Sequence, residues 1–207
     1  MVKIKIDSVT LDGELTVPQK AVGVVIFAHG SGSSRLSPRN KFVAEVLQKE
    51  GIGTLLFDLL TEREDEIYET RFDINLLTDR LIATTKWLQQ SQVGNLKIGY
   101  FGASTGAAAA LNAAAELKSE ISAVVSRGGR PDLAWGSLAK VAAPTLLIVG
   151  GEDDAVIELN EKAFEKIRAE KKLEIIPGTT HLFEEPGALE KVAYLAANWF
   201  KHHLGSK

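Results

Sequence analysis

Short apolar runs rich in β-branched residues alternate with longer amphipathic runs along the whole chain. Residues 2–6 and 9–17 alternate apolar and polar positions and predict a hairpin, turned near Asp12–Gly13 or just before it. Residues 22–28 (VGVVIFA) form a continuous apolar run, the pattern of a strand buried on both faces. A Gly-Ser-rich loop at 30–34 follows, then a helix over 38–49 and a second buried strand over 54–57. The acidic stretch 62–69 reads as a solvated face, and 72–90 as a long amphipathic helix. Beyond it the pattern predicts strands at 97–101, 121–126, 145–149 and 173–176, interleaved with helices over 104–117, 158–171 and 187–203. Strands separated by helices of about 12 residues or more imply right-handed crossovers and a mainly parallel sheet. No linker, repeat or low-complexity tract divides the chain, so 207 residues are expected to form one α/β domain.

In open α/β sheets ligands sit beyond the carboxyl ends of the strands, so those loops are where chemistry is sought. Gly102-Ala103-Ser104-Thr105-Gly106 directly follows the strand KIGYF and directly precedes a helix. This is G-x-S-x-G in the strand–turn–helix setting of a nucleophile elbow, where a tight reversal pushes the serine hydroxyl out above the sheet. A bulky residue two positions to either side of Ser104 would strike the neighbouring strand or helix. A bland reading also exists, in which Ser104 merely caps the helix.

A serine nucleophile needs a base. Of the four histidines, His202 and His203 lie in the final helix and His29 ends a strand, which leaves His181, just past the last parallel strand. Gly150-Gly151-Glu152-Asp153-Asp154 supplies three carboxylates to orient it, with Asp153 preferred and Asp154 next. Backbone N–H groups of Ser31 and Thr105 are the expected oxyanion donors. Arg127 ends a strand at the same edge, and Arg35 and Arg39 follow the Gly-Ser loop; such guanidinium groups, Arg35 and Arg127 above all, could grip a substrate carboxylate, although Arg127 could instead bridge to Asp58 or Asp132. Asp58 itself reads as a loop-fixing acceptor, and Trp135, Tyr68 and Phe183 as either pocket wall or core.

Composition narrows the alternatives. The chain has no cysteine, which excludes disulfides, thiolate metal sites and a thiol nucleophile. A formal net charge of −3 argues against nucleic acid as a partner. No apolar run reaches the roughly 18 residues of a membrane span, and the amino terminus lacks a signal-peptide core, so a cytoplasmic chain is expected. Neither G-x-x-x-x-G-K-[ST] nor G-x-G-x-x-G occurs, which disfavours a nucleotide site.

VVIFAHGSG, TLLFDLL, IGYFGASTGAAAAL, PTLLIVGGEDDAV and GTTHLFEEPGALE, in that order, resemble the α/β-hydrolase superfamily and, within it, the dienelactone-hydrolase-like branch. The resemblance implies an eight-stranded, mostly parallel sheet flanked by helices. It also implies Ser104 as nucleophile, Asp153 as acid, His181 as base, and Ser31 and Thr105 as oxyanion donors. In that branch the acid stands three residues after the first glycine of a G-x-x-D turn, which selects Asp153 over Asp154. Dienelactone hydrolases proper use cysteine, so a serine here favours esterase-type chemistry. Only about twenty residues separate the fourth and fifth parallel strands, too few for a large cap. The chain is also similar to hydrolase domains found joined to phosphoribosyltransferase-like domains. The expected function is a cofactor-free, metal-free serine hydrolase of small carboxylic esters or lactones. The competing expectation is a non-catalytic anion-binding or regulatory module on the same scaffold. Oligomeric state is not legible.

Overall fold

The computed structural model describes residues 1–205. Eight strands, β1 (Val2–Ile6), β2 (Val9–Thr16), β3 (Gly23–Ala28), β4 (Gly53–Phe57), β5 (Lys97–Ala103), β6 (Ile121–Arg127), β7 (Thr145–Gly150) and β8 (Lys171–Ile176), form one sheet. Their order is β1-β2-β4-β3-β5-β6-β7-β8, and β2 alone runs against its neighbours. Six helices accompany them: α1 (Pro38–Lys49), α2 (Glu62–Asp65), α3 (Ile74–Gln89), α4 (Thr105–Leu117), α5 (Asp154–Lys166) and α6 (Ala188–Gly205). No large cap interrupts this α/β-hydrolase fold; the β6–β7 connection holds only two short 3₁₀ turns.

The central strands are apolar throughout because both faces are covered. Val43, Ala44 and Leu47 of α1 join Val192, Ala196 and Phe200 of α6 over one face. Leu77 and Leu81 of α3 join the α4 alanines and Ala163 of α5 over the other. The run Ala107–Ala110 is wholly buried, so small side chains let α4 lie close on the sheet. Among the described residues no helix is long and apolar enough to cross a membrane.

Two sequence expectations are corrected. The hairpin turns at Asp7–Ser8, with Asp7 at φ 45°, whereas Asp12 and Gly13 lie inside β2. A short aspartate tolerates the left-handed region, and Gly13 pairs with Val2 in the ladder, where an added Cβ would meet the Val2 side chain at 3.0 Å. Second, α5 begins at Asp154 and stops at Lys166, after which Ile167 turns extended and drops fully into the core. The acidic stretch is solvated as expected, and it is also folded. Thr61 and Glu64 form a capping box, Glu64 meets Arg80 at 2.7 Å, and Asp65 meets Arg71 at 3.1 Å.

Candidate active site

The carboxyl ends of β3, β5, β6, β7 and β8 share one rim, and the loops leaving them build the site. Ser104 occupies the single residue between β5 and α4, at φ 51° and ψ −120°. A non-glycine residue there is strained and must be held by its surroundings. The Ser104 N–H donates to the Arg127 carbonyl at 3.2 Å, and its own carbonyl accepts the Arg130 N–H at 3.1 Å. Space dictates the flanking glycines. A Cβ on Gly102 would lie 2.4 Å from Ala107 Cα, and one on Gly106 would lie 2.2 Å from the Ala28 carbonyl oxygen.

The loops after β7 and β8 are laced together by backbone. Gly151 N–H donates to the Ile176 carbonyl at 2.8 Å and Glu152 N–H to that of Thr179 at 2.9 Å. A Cβ on Gly150 would stand 2.4 Å from the Thr179 oxygen, so this approach requires glycine. It brings Asp153 Oδ2 within 2.6 Å of His181 Nδ1. An ionised carboxylate only accepts, so Nδ1 carries the proton and Nε2 is left as the base. The Asp153 side chain is 18% exposed and that of His181 39%, which leaves the far edge of the ring accessible. Glu185 steadies the histidine loop, accepting from the Thr180 N–H at 3.0 Å and its hydroxyl at 2.5 Å. The Thr180 hydroxyl bond, with help from backbone amides, holds the Glu185 carboxyl below its usual range. Asp154, the second choice of acid, is exposed at the start of α5.

Ser104, His181, Gly30, Ser31, Arg39 and Arg127 line a common cavity of about 240 Å³. No direct hydrogen bond joins Ser104 to His181 among the described residues. Such bonds are commonly loose until substrate closes the site. Thr105 is buried at the first position of α4, where its N–H lacks an intrahelical partner. The other expected donor is engaged: the Ser31 N–H donates to Thr105 Oγ1 at 2.9 Å. That bond ties the β3 loop to the elbow.

The arginines divide. Arg35 gives its backbone N–H to Asp58 at 2.7 Å and its guanidinium to the same carboxylate, so it does not reach the Ser104 cavity. It borders instead a wider cavity of about 730 Å³ that neither Ser104 nor His181 touches. Arg127 lines the Ser104 cavity but bridges neither Asp58 nor Asp132, whose carboxylates are held by Arg35 and Arg130. Phe183 is core, lying 5.5 Å beneath the Arg127 guanidinium, while Trp135 and Tyr68 are exposed and absent from the cavity wall. Arg39, expected with Arg35 beside the Gly-Ser loop, does line this cavity, whereas Ser37 and Asn40 were not read as site residues. Their signal was Pro38, which marks the start of a helix whose first turn faces the cavity.

The model of the dienelactone hydrolase family matches residues 11–204. The chain belongs to that family. A solved dienelactone hydrolase from Anabaena variabilis is 57% identical, with a TM-score of 0.96 over 98% of this chain and 96% of its own. The Butyrivibrio proteoclasticus protein Est1E shares the fold with a TM-score of 0.84, covering 99% of both chains at 18% identity. A Mycobacterium tuberculosis relative, named "Putative phosphoribosyl transferase Rv0571c", is 57% identical over 204 residues. Those residues are 98% of this chain and 46% of the relative, so the chain spans about half the length of the curated relatives it matches. Within the dienelactone hydrolase family, this chain carries serine at the elbow and has no cysteine at all.

Proposed function

We propose that the chain is a serine hydrolase that cleaves small carboxylic esters or lactones through an acyl-enzyme. One observation carries the reading: a strained Ser104 at a strand–helix reversal shares a cavity with a histidine whose Nδ1 is held 2.6 Å from Asp153. Ser104 Oγ attacks the ester carbonyl while His181 Nε2 takes the hydroxyl proton. Asp153 fixes the tautomer and stabilises the imidazolium that forms. The negative charge moves onto the carbonyl oxygen, facing the Thr105 N–H at the start of α4. The Ser31 N–H joins it by sharing or releasing its bond to Thr105 Oγ1. Collapse expels the alcohol, protonated by His181. A water deprotonated by His181 then attacks the acyl-serine, releasing the acid and restoring the Ser104 hydroxyl.

In this reading the residues shared with the mycobacterial relative are its hydrolase portion, and phosphoribosyl transfer belongs to the portion this chain does not span. The alternative, a binding module that only captures anions, draws support from the unpaired Arg127. Fluorophosphonate labelling separates the two. Wild type is expected to label at Ser104, with labelling lost in Ser104→Ala and His181→Ala. Equal labelling of wild type and Ser104→Ala rejects the hydrolase.

A further inference from the structure

The most unusual charge in the molecule is Arg127. It is 8% exposed, no hydrogen bond or ion pair reaches its guanidinium among the described residues, and its Nε is sealed without a partner. Burial, and then the neighbouring Arg39, lower its pKa to about 10, so it remains charged at neutral pH. Buried charges are ordinarily paired, because leaving water is expensive without a counter-ion. The acids that the sequence offers Arg127 are committed elsewhere, Asp58 to Arg35 and Asp132 to Arg130, and Glu184 meets Arg39 at 2.8 Å. The Phe183 ring lies under the guanidinium face, 5.5 Å from its carbon to the ring centroid.

A second feature meets it in the same cavity. The first turn of α1 contributes Ser37, Arg39 and Asn40 to the wall. Ser37 Oγ accepts the Asn40 N–H at 3.4 Å, and Pro38 has no N–H to offer. The Arg39 N–H therefore stands without an intrahelical partner at the positive end of a 12-residue helix. Among the described residues the Arg39 guanidinium is held by Glu184, whose side chain is 64% exposed, and such a surface pair yields readily.

We infer that Arg127, Arg39 and the first turn of α1 form a phosphate-binding subsite beside Ser104, and that the esters cleaved there carry a phosphate group. The inference rests on the proposed hydrolase reading for the word ester, but not for the subsite. Two guanidinium groups and a helix start match a doubly charged oxyanion better than a singly charged carboxylate. The geometry also fixes the subsite to the nucleophile, since the Arg127 carbonyl accepts the Ser104 N–H at 3.2 Å. A phosphate held there orients the rest of the substrate across Ser104, and its binding is spent on positioning the carbonyl.

Two readouts test this. Calorimetric titration of wild type and Ser104→Ala with inorganic phosphate should show binding in both. Affinity should fall roughly tenfold or more in Arg127→Met, the loss expected of one charge-assisted contact. Acetate should bind more weakly than phosphate, and tighter acetate binding would replace the phosphate subsite by a carboxylate one. The second readout compares two esters that differ only by a terminal phosphate or hydroxyl. Wild type should favour the phosphorylated ester in kcat/KM by roughly tenfold or more, and Arg127→Met should bring the ratio to about one. If Arg127→Met does not fold, Arg39→Met is expected to lower the same ratio from the half-exposed side. No phosphate binding by wild type, or an undiminished ratio in the folded variants, overturns the subsite. Failure of the hydrolase reading would appear separately, as loss of fluorophosphonate labelling with phosphate binding intact.

Discussion

Two histidines stand at the rim of the sheet, and the contrast between them separates structure from chemistry. His29, at the end of β3, is 6% exposed, and backbone occupies both ring nitrogens. Its Nε2 accepts the Leu59 N–H at 3.0 Å, so Nδ1 carries the proton and donates to the Gly30 carbonyl at 3.0 Å. Burial depresses its pKa and keeps the ring neutral. His181 is held at one nitrogen only, by a carboxylate, and its other edge opens on the cavity shared with Ser104. A ring satisfied twice is a strut; a ring satisfied once has a nitrogen free to take a proton. Arg35 and Arg127 repeat the lesson, one consumed by Asp58 and the other unpaired.

Exchanging the two histidines' roles should be impossible. His181→Ala is expected to lower kcat on a p-nitrophenyl ester by about 10⁶-fold, as for other triad bases. His29→Gln, which keeps an acceptor for Leu59, should lose less than about tenfold. Comparable losses in both variants, measured on folded protein by steady-state kinetics, would erase the distinction. The acid sharpens it further. Asp153→Asn should lower turnover by about 10⁴-fold, because the amide favours the wrong tautomer, whereas Asp154→Asn should be nearly silent. The reverse pattern would move the acid by one residue.

Next in size is the backbone that holds His181 in place. Gly150→Ala puts a methyl 2.4 Å from the Thr179 carbonyl oxygen, a contact that must be relieved by separating the two loops. A stability loss of about 1–3 kcal/mol is expected in urea denaturation, with a larger fall in kcat than in stability. Wild-type turnover in that variant would show that the lacing does not position the acid.

The smallest effect concerns His29 alone. Burial holds its folded pKa below the ordinary histidine value near 6.5, so under acid conditions the unfolded chain binds a proton the folded chain refuses. Stability should therefore be fully present above pH 6.5 and decline as pH falls below it, by at most about 1.4 kcal/mol per pH unit from this group. His29→Gln should flatten that part of the curve, and an unchanged slope in denaturant melts from pH 7 to 5 would assign it to other groups.

Much of this was legible beforehand because it follows from local pattern. Apolar runs gave every parallel strand, and G-x-S-x-G was informative because KIGYF precedes it and an alanine-rich helix follows. The hairpin turn was misplaced because Asp12–Gly13 imitates a turn while serving a crowded ladder position beneath Val2 and Ile4. The end of α5 carries no glycine or proline to announce it; burial of Ile167 stops the helix. Partners of the arginines were invisible for a different reason. Arg35 and Asp58 are 23 residues apart, and only the assembled rim decides which guanidinium finds a carboxylate. The Ser31–Thr105 bond spans 74 residues and was equally out of reach.

The most direct test of the central claim is mass spectrometry of protein quenched during turnover of p-nitrophenyl acetate. One acetyl group per chain, on the peptide containing Ser104 and absent from Ser104→Ala, is the result expected of nucleophilic attack by that hydroxyl. Turnover that leaves Ser104 unmodified, or an adduct on another residue that survives in Ser104→Ala, would contradict it.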